Sequence, residues 1–232
     1  MATFIVAHGA WSAGWVWKKM HPLMRAKGHE LITPTYTGLG ERVHLATELI
    51  GLETHIRDML MVLQMEDVRD TILIGHSYGG MVATGVADLA AERISKLVYL
   101  DAFVPRHGEG VFDLVSPEER ERRLAGVVDG WKLPPSPPPP DTSQRDIDWI
   151  TPRRVHQPLA CFQEPLLLEN GEPQMPRAYI YAQRHNPGDP FRPFAERAKR
   201  EGWQYFEMDA SHSPHVTAPE ALTEVLDTIA RG

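Results

Sequence analysis

The stretch Thr71-Ile72-Leu73-Ile74-Gly75-His76-Ser77-Tyr78-Gly79-Gly80 decides the reading of this chain. Its first four residues are apolar or β-branched and read as a short buried strand. Gly75-x-Ser77-x-Gly79 follows at once, and Met81–Ala91 then carries a helical pattern. A strand that turns so sharply into a helix strains the serine backbone and lifts its hydroxyl clear of the sheet, as a nucleophile elbow requires. Glycines at 75 and 79 leave out side chains that would collide with the neighbouring strand and helix. The hydroxyl also lies at a helix N-terminus, where the positive end of the dipole favours developing negative charge. Taken alone, the five-residue pattern equally describes a tight turn with a capping serine. The strand before it, the helix after it and the extra Gly80 give it its chemical meaning.

Outward from this point, short strand candidates alternate with helices. The strands are Thr3–Ala7, Glu30–Pro34, Thr71–Gly75, Lys96–Asp101, Ala178–Ala182 and Gln204–Met208. Helices are expected over Trp15–Lys27, Glu53–Glu66, Met81–Ala91, Phe191–Glu201 and Ala218–Ala230. Such alternation predicts an α/β fold, a mostly parallel sheet of about six strands covered by helices on both faces. Residues 105–176 break the rhythm and show no clear strand. They read as a short cap inserted into a core formed by residues 1–104 and 177–232. The insertion holds a helix start at Ser116-Pro117-Glu118-Glu119. It also holds Leu133-Pro-Pro-Ser-Pro-Pro-Pro-Pro140, which lacks most backbone donors and must be extended. As an isolated peptide that run could be an SH3-type ligand; within this chain it reads as a rigid surface connector.

Composition sets the outer bounds. A chain of 232 residues with 42% hydrophobic and 24% charged residues suits one domain of ordinary soluble type. A net charge of -7 without a basic cluster argues against nucleic acid as a partner. The single cysteine, Cys161, excludes an internal disulfide and fits a reducing compartment. No secretory leader and no apolar run of membrane-spanning length stands out. A cytoplasmic location is therefore expected, and the sequence is compatible with a homodimer.

A serine hydroxyl needs a base to take its proton, an acid to orient that base, and N–H donors for the oxyanion. One donor is the amide of Tyr78, next after the serine. The other is assigned to the amide of Ala10, in the loop Ala7-His8-Gly9-Ala10 after the first strand; His8 is read as ordering that loop. The base should follow the last strand, where Met208-Asp-Ala-Ser-His212-Ser-Pro-His215 stands. His212 is preferred over His215. The His212-x-x-His215 pair finds no further ligands at metal spacing, so no metal and no cofactor are expected. For the acid, two positions stay open. Asp101 ends the strand after the nucleophile strand, and Asp189 lies in the loop after Ala178–Ala182; Asp101 is preferred, and Asp209 is a poorer third. Trp11, His76, Phe103 and Trp131 are the expected substrate-binding residues, with Phe112, Leu114, Trp149 and Phe162 as further lining. Many of these aromatics will serve to pack the cap. Arg153-Arg154 could meet a substrate carboxylate, although a solvated pair is the simpler reading. His21, His29, His44, His55, His107, His156 and His185 have no partner legible in the sequence.

With these residues in place the chain resembles the small α/β hydrolases that include plant methyl-ester esterases and hydroxynitrile lyases. The resemblance rests on His8-Gly-Ala-Trp-Ser-Ala-Gly-Trp-Val-Trp17, Pro34-Thr-Tyr-Thr-Gly-Leu-Gly-Glu-Arg42, Gly75-His-Ser-Tyr-Gly-Gly80, Leu97-Val-Tyr-Leu-Asp-Ala-Phe-Val-Pro105 and the His212 segment. It implies the α/β-hydrolase fold, a cofactor-free site under a short cap, and hydrolysis of a small apolar or aromatic ester through an acyl-enzyme on Ser77. The sequence departs from the family pattern in two places. The usual acid loop carries Arg184 where a carboxylate is expected, and Ser211 precedes the histidine where Gly or Asp is common. The lyase branch is implied to need a lysine after the histidine and a threonine in the first loop, where Ser213 and Trp11 stand. A lyase, a cofactor-free oxygenase using the His–Asp pair, and a ligand-binding receptor are the alternatives on this scaffold.

Overall fold

The computed structural model describes residues 1–184 and 189–232. Six of its strands form one parallel sheet: β1 (Thr3–Ala7), β2 (Glu30–Ile32), β3 (Thr71–His76), β4 (Ile94–Leu100), β7 (Arg177–Ala182) and β8 (Gln204–Met208), in the order β2-β1-β3-β4-β7-β8. Two very short strands, β5 (Lys132–Leu133) and β6 (Gln157–Pro158), pair antiparallel in the segment between β4 and β7. Helices α1 (Met20–Ala26), α2 (Leu52–Met65), α3 (Gly79–Leu89), α7 (Arg192–Arg200) and α9 (Pro219–Arg231) flank the large sheet. Helices α4 (Pro117–Ala125), α5 (Gln144–Ile150) and α6 (Ala160–Gln163) belong to the β4–β7 segment, and α8 (Pro214–Thr217) is a single turn before α9.

Period-2 patterning explains why both faces are covered. In β1, Ile5 and Ala7 enter one apolar cluster while Phe4 and Val6 enter the other; in β4, Leu97 and Tyr99 oppose Val98 and Leu100 in the same way. Leu73, Met81, Val82 and Val86 pack with α2 on the first face. Trp17, Met20, Met24, Leu222 and Leu226 build the second face from α1 and α9. Side chains on both faces are removed from water in the central strands, so β1 and β3 read as nearly continuous apolar runs.

The expected α/β class and six-strand sheet are therefore present, with two differences. The helix expected over Trp15–Lys27 is split into a 3-10 turn at Gly14–Trp17 and α1 from Met20. Pro22 has no N–H, and its ring would clash with an α-helical carbonyl at Lys18, so the α-helix starts only after that residue. The expectation of no strand between 105 and 176 misses β5 and β6. Two residues per strand carry no periodicity to read. His185 and part of the loop considered for the acid lie outside the described residues.

The parallel sheet gathers the loops after β1, β3, β4, β7 and β8 on one edge. Register puts Ala7 beside Gly75, His76 beside Leu100, and Ala182 beside Met208. The direction of the chain connections reverses between β1 and β3, so a crevice opens beyond the carboxyl ends of the strands there. The start of α3 closes tightly against β1: a Cβ on Gly79 would collide with the backbone carbonyls of Ala7 and His8. Gly79→Ala is accordingly expected to lower stability by about 1–3 kcal/mol, the usual penalty for overpacking. Urea unfolding checks this, and an unchanged midpoint would contradict the close approach.

Candidate active site

Ser77 stands immediately after β3 with φ of 56°, a left-handed backbone that is uncommon for a residue with a side chain. Its conformation is fixed from both sides. The Ser77 amide donates to the Leu100 carbonyl at 3.3 Å, and the Ser77 carbonyl accepts from the Phe103 amide at 3.2 Å. His212 lies two turns of loop beyond β8, and its Nε2 is 2.9 Å from Ser77 Oγ. The other ring nitrogen, Nδ1, is 2.7 Å from Asp101 Oδ2. In a neutral imidazole, Nδ1–H donates to the carboxylate, which leaves Nε2 to accept the serine proton.

Asp101 follows β4 and is fully buried, again with a positive φ, 42°. Its amide donates to the Ile180 carbonyl at 2.8 Å, and its Oδ1 accepts from the Ala182 amide at 3.2 Å. The end of β7, whose following loop carries the alternative Asp189, thus helps to hold the Asp101 carboxylate. Asp189 is engaged elsewhere. It accepts from the Tyr181 hydroxyl, takes the amides of Phe191 and Arg192 at the start of α7, and meets Arg192 Nε at 3.1 Å. Asp209 is an exposed partner of Arg184 at 2.6 Å. His215 is buried and stacked on Trp17, with ring centroids 4.4 Å apart, and does not meet the serine.

The histidine is clamped on all sides. Phe191 lies parallel to its ring at 4.8 Å. His76 Nε2–H donates to the His212 carbonyl at 2.8 Å. Ser211, buried next to it, gives both its amide, at 3.1 Å, and its hydroxyl to the Asp141 carboxylate. Asp141 ends the proline-rich run, so the rigid connector is tied to the loop of the base. The residue that departs from the family pattern, Ser211, is the one that supplies this tie.

The loop after β1 passes directly over the nucleophile. A Cβ on Gly9 would lie 2.9 Å from His76 Nδ1 and 3.2 Å from Ser77 Cβ, so this loop can come so close only with glycine here. Trp11 has φ of 58°; its amide donates to Gln157 Oε1 and its indole N–H to the Leu133 carbonyl, both at 3.0 Å. The short β5–β6 pair is thereby pinned to the β1 loop. His8 accepts from the Tyr36 amide at 3.3 Å and stacks on Tyr36 at 3.9 Å. The Tyr78 hydroxyl donates to His55 Nδ1 at 2.9 Å, while His55 Nε2 donates to the Thr37 carbonyl at 3.1 Å. The Tyr78 amide follows Ser77 in the chain, the Ala10 amide belongs to the loop that approaches it, and neither finds an acceptor among the described residues. They can therefore serve a developing oxyanion.

These groups open into a cavity of about 740 Å³. Trp11, His76 and Phe103 line it as expected, with Leu114, Phe162 and Phe191. Trp131 does not line it. That ring is half-buried under Lys132, whose Nζ sits 5.0 Å from the ring centroid. Trp149 packs edge-on against Trp15 at 5.4 Å, and Phe112 packs behind Phe162 at 5.7 Å. The sequence missed Phe191, Gln157 and Asp141. A dipeptide Gln-Pro and an Asp after prolines carry no signal of their own; only the fold brings them to the site.

Burial holds His212 below its ordinary 6.5, at about 4, with the charges of Arg154 and Arg123 adding to the effect. The Asp101 carboxylate works in the opposite direction from the Nδ1 side. Burial likewise pushes His76 down to about 3, so it faces the base as a neutral ring. A base must be neutral to work. Activity is thus present above the His212 pKa and lost as pH falls through it. If His212 is the base, kcat/KM for a neutral ester should hold its plateau at pH 6 and fall as pH drops through about 4. A pH–rate profile checks this, and an acid limb above 6.5 would contradict it. Asp141→Ala should lower kcat by about tenfold with little change in KM, because a base displaced by a fraction of an ångström loses rate rather than binding. Steady-state kinetics with unaltered kcat would show that the tie to Ser211 is idle.

Known proteins resemble this chain over most of its length. The model of the Alpha/beta hydrolase family matches residues 4–225. A carbendazim hydrolyzing esterase from Nocardioides sp. (strain SG-4G) is 41% identical and aligns over 97% of this chain and 98% of that protein. Salicylic acid-binding protein 2 from Nicotiana tabacum is 30% identical over 44% of this chain and 40% of its own. Among solved structures, an extracellular alpha/beta-hydrolase from a Paenibacillus species superposes with a TM-score of 0.84 at 23% identity, covering 98% of each chain.

Proposed function

The chain belongs to the alpha/beta hydrolase family, and from that premise we propose that it is a serine esterase acting on a small, apolar or aromatic ester. The observation that carries this reading is the continuous relay Ser77 Oγ–His212 Nε2 at 2.9 Å and His212 Nδ1–Asp101 Oδ2 at 2.7 Å, opening into an aromatic-lined cavity. In the first step His212 takes the Ser77 proton as Oγ attacks the ester carbonyl. The amides of Ala10 and Tyr78 stabilise the oxyanion, and the imidazolium is held by Asp101. The proton passes from Nε2 to the departing alkoxide, which leaves as the alcohol. Water then attacks the acyl-enzyme, again deprotonated by His212, and the acid is released with Ser77 restored.

Residues 105–176 act in this reading as a cap. Val111, Leu114 and Phe162 from that segment face Phe103 and Trp11 across the cavity, a surface suited to an aromatic or aliphatic group. The substrate named for the Nocardioides relative, carbendazim, is a reasonable compound to assay beside simple nitrophenyl esters. Ser213 and Trp11, which line the cavity where the lyase branch is implied to need lysine and threonine, support hydrolysis over cyanohydrin cleavage.

Ser77→Ala is expected to lower kcat on 4-nitrophenyl butyrate by about 10³-fold or more while leaving the circular dichroism spectrum unchanged. A folded variant that kept parental turnover would overturn the esterase reading. Oxygen-dependent turnover surviving in that variant would favour the oxygenase alternative.

A further inference from the structure

Two of the arginines that line the cavity stand over Trp11. Arg123 lies 4.9 Å and Arg154 5.7 Å from the centre of the Trp11 ring, the residue next to the Ala10 amide. Both line the cavity that holds Ser77 and His212. Both are also anchored to Ser136, the one non-proline residue within the run 134–140. Arg123 reaches the Ser136 hydroxyl at 3.5 Å, and Arg154 donates to the Ser136 carbonyl. Arg123 has a counter-charge, Glu119 at 2.7 Å, which Arg122 shares at the same distance. Arg154 has none: among the described residues its one polar partner is that neutral carbonyl.

The other charges of the cavity do not neutralise Arg154. Arg184 pairs with Asp209 and Asp189 with Arg192, while Glu118 is exposed at the start of α4. An arginine presents five N–H donors, and Arg154 spends one. A partly buried, uncompensated guanidinium costs free energy unless something answers its charge. Burial already pushes Arg154 down to about 10. Its field also reaches the base, being the first charge that lowers His212.

We propose that Arg154, backed by Arg123, is a carboxylate subsite, so that the preferred substrates are esters bearing a free carboxylate, such as half-esters of dicarboxylic acids. The proposal rests on the esterase reading and narrows its substrate class. The ester would lie with its carbonyl at Ser77, its hydrocarbon against Phe103 and Phe162, and its carboxylate on the Arg154 edge. A planar fork suits a carboxylate in bidentate fashion. A lysine there would retain the charge but not the fork.

The test compares mono-4-nitrophenyl glutarate with 4-nitrophenyl hexanoate, esters of similar length that differ in charge. The parent should favour the glutarate by about tenfold or more in kcat/KM, and added salt should erode that preference selectively. Arg154→Gln should cut the glutarate-to-hexanoate ratio about tenfold, and Arg154→Lys should restore part of it. Equal use of both esters by the parent would overturn the proposal and leave the esterase reading standing. So would an Arg154→Gln variant that lowers both rates alike, which would assign Arg154 to packing the cap. Calorimetry of monoethyl glutarate with Ser77→Ala, with and without Arg154→Gln, reads the subsite independently of turnover. Equal affinity in the two would overturn the proposal as well.

Discussion

Ser77 occupies a left-handed backbone, and most of the site depends on what keeps it there. A non-glycine residue does not hold φ of 56° unless its surroundings leave no alternative. Here the tail of β4 supplies that constraint, taking the Ser77 amide at Leu100 and giving the Phe103 amide to the Ser77 carbonyl. The same tail carries Asp101, itself at positive φ and tied to the end of β7. Ser77 and Asp101 therefore belong to one hydrogen-bonded unit at the carboxyl edge of the sheet. The β1 loop repeats the device at Trp11, whose positive φ is stabilised by Gln157 and Leu133 from the short β5–β6 pair. Strain at these three positions sits around one reacting point, where a rigid scaffold can hold it.

Electrostatics follows from burial. His8, His55 and His76 are each pushed to about 3 by desolvation; His8 and His55 have both ring nitrogens matched to backbone or tyrosine partners, and His76 donates through Nε2 to the His212 carbonyl. The His212 ring thus lies against the neutral His76 ring and is stacked on Phe191, with Arg154 and Arg123 near enough to lower it. Cations near the base discourage its protonation in the resting site, while Asp101 recovers the stability of the imidazolium once it forms. The tie from Asp141 to Ser211 joins the proline-rich run to the loop that carries His212.

Much of this was legible before any coordinates. The strand–turn–helix at Ser77 and the alternation of elements predict the sheet, and the placement after the last strand predicts His212. Asp101 could be preferred but not separated from Asp189, because chain position does not reveal that Asp189 is consumed capping α7. Trp131 and Phe191 went the other way for a related reason. Aromatics in an irregular segment carry no periodicity, and only packing decides that Phe191 stacks on His212 while Trp131 sits under Lys132. The split of the first helix follows from Pro22, which bars a continuous α-helix over Trp15–Lys27. Arg154 is the reverse case, an arginine that as sequence reads most simply as a solvated surface charge and that the fold turns inward.

The central claim is that Ser77 is activated through His212 by Asp101. Intact-mass spectrometry after reaction with a serine-directed phosphonate tests it most directly, with Asp101→Asn and Asp189→Asn beside the parent. The account predicts one adduct per chain, located on Ser77, formed far more slowly in Asp101→Asn and at the parental rate in Asp189→Asn. No adduct on the parent, or slowing confined to Asp189→Asn, would contradict it.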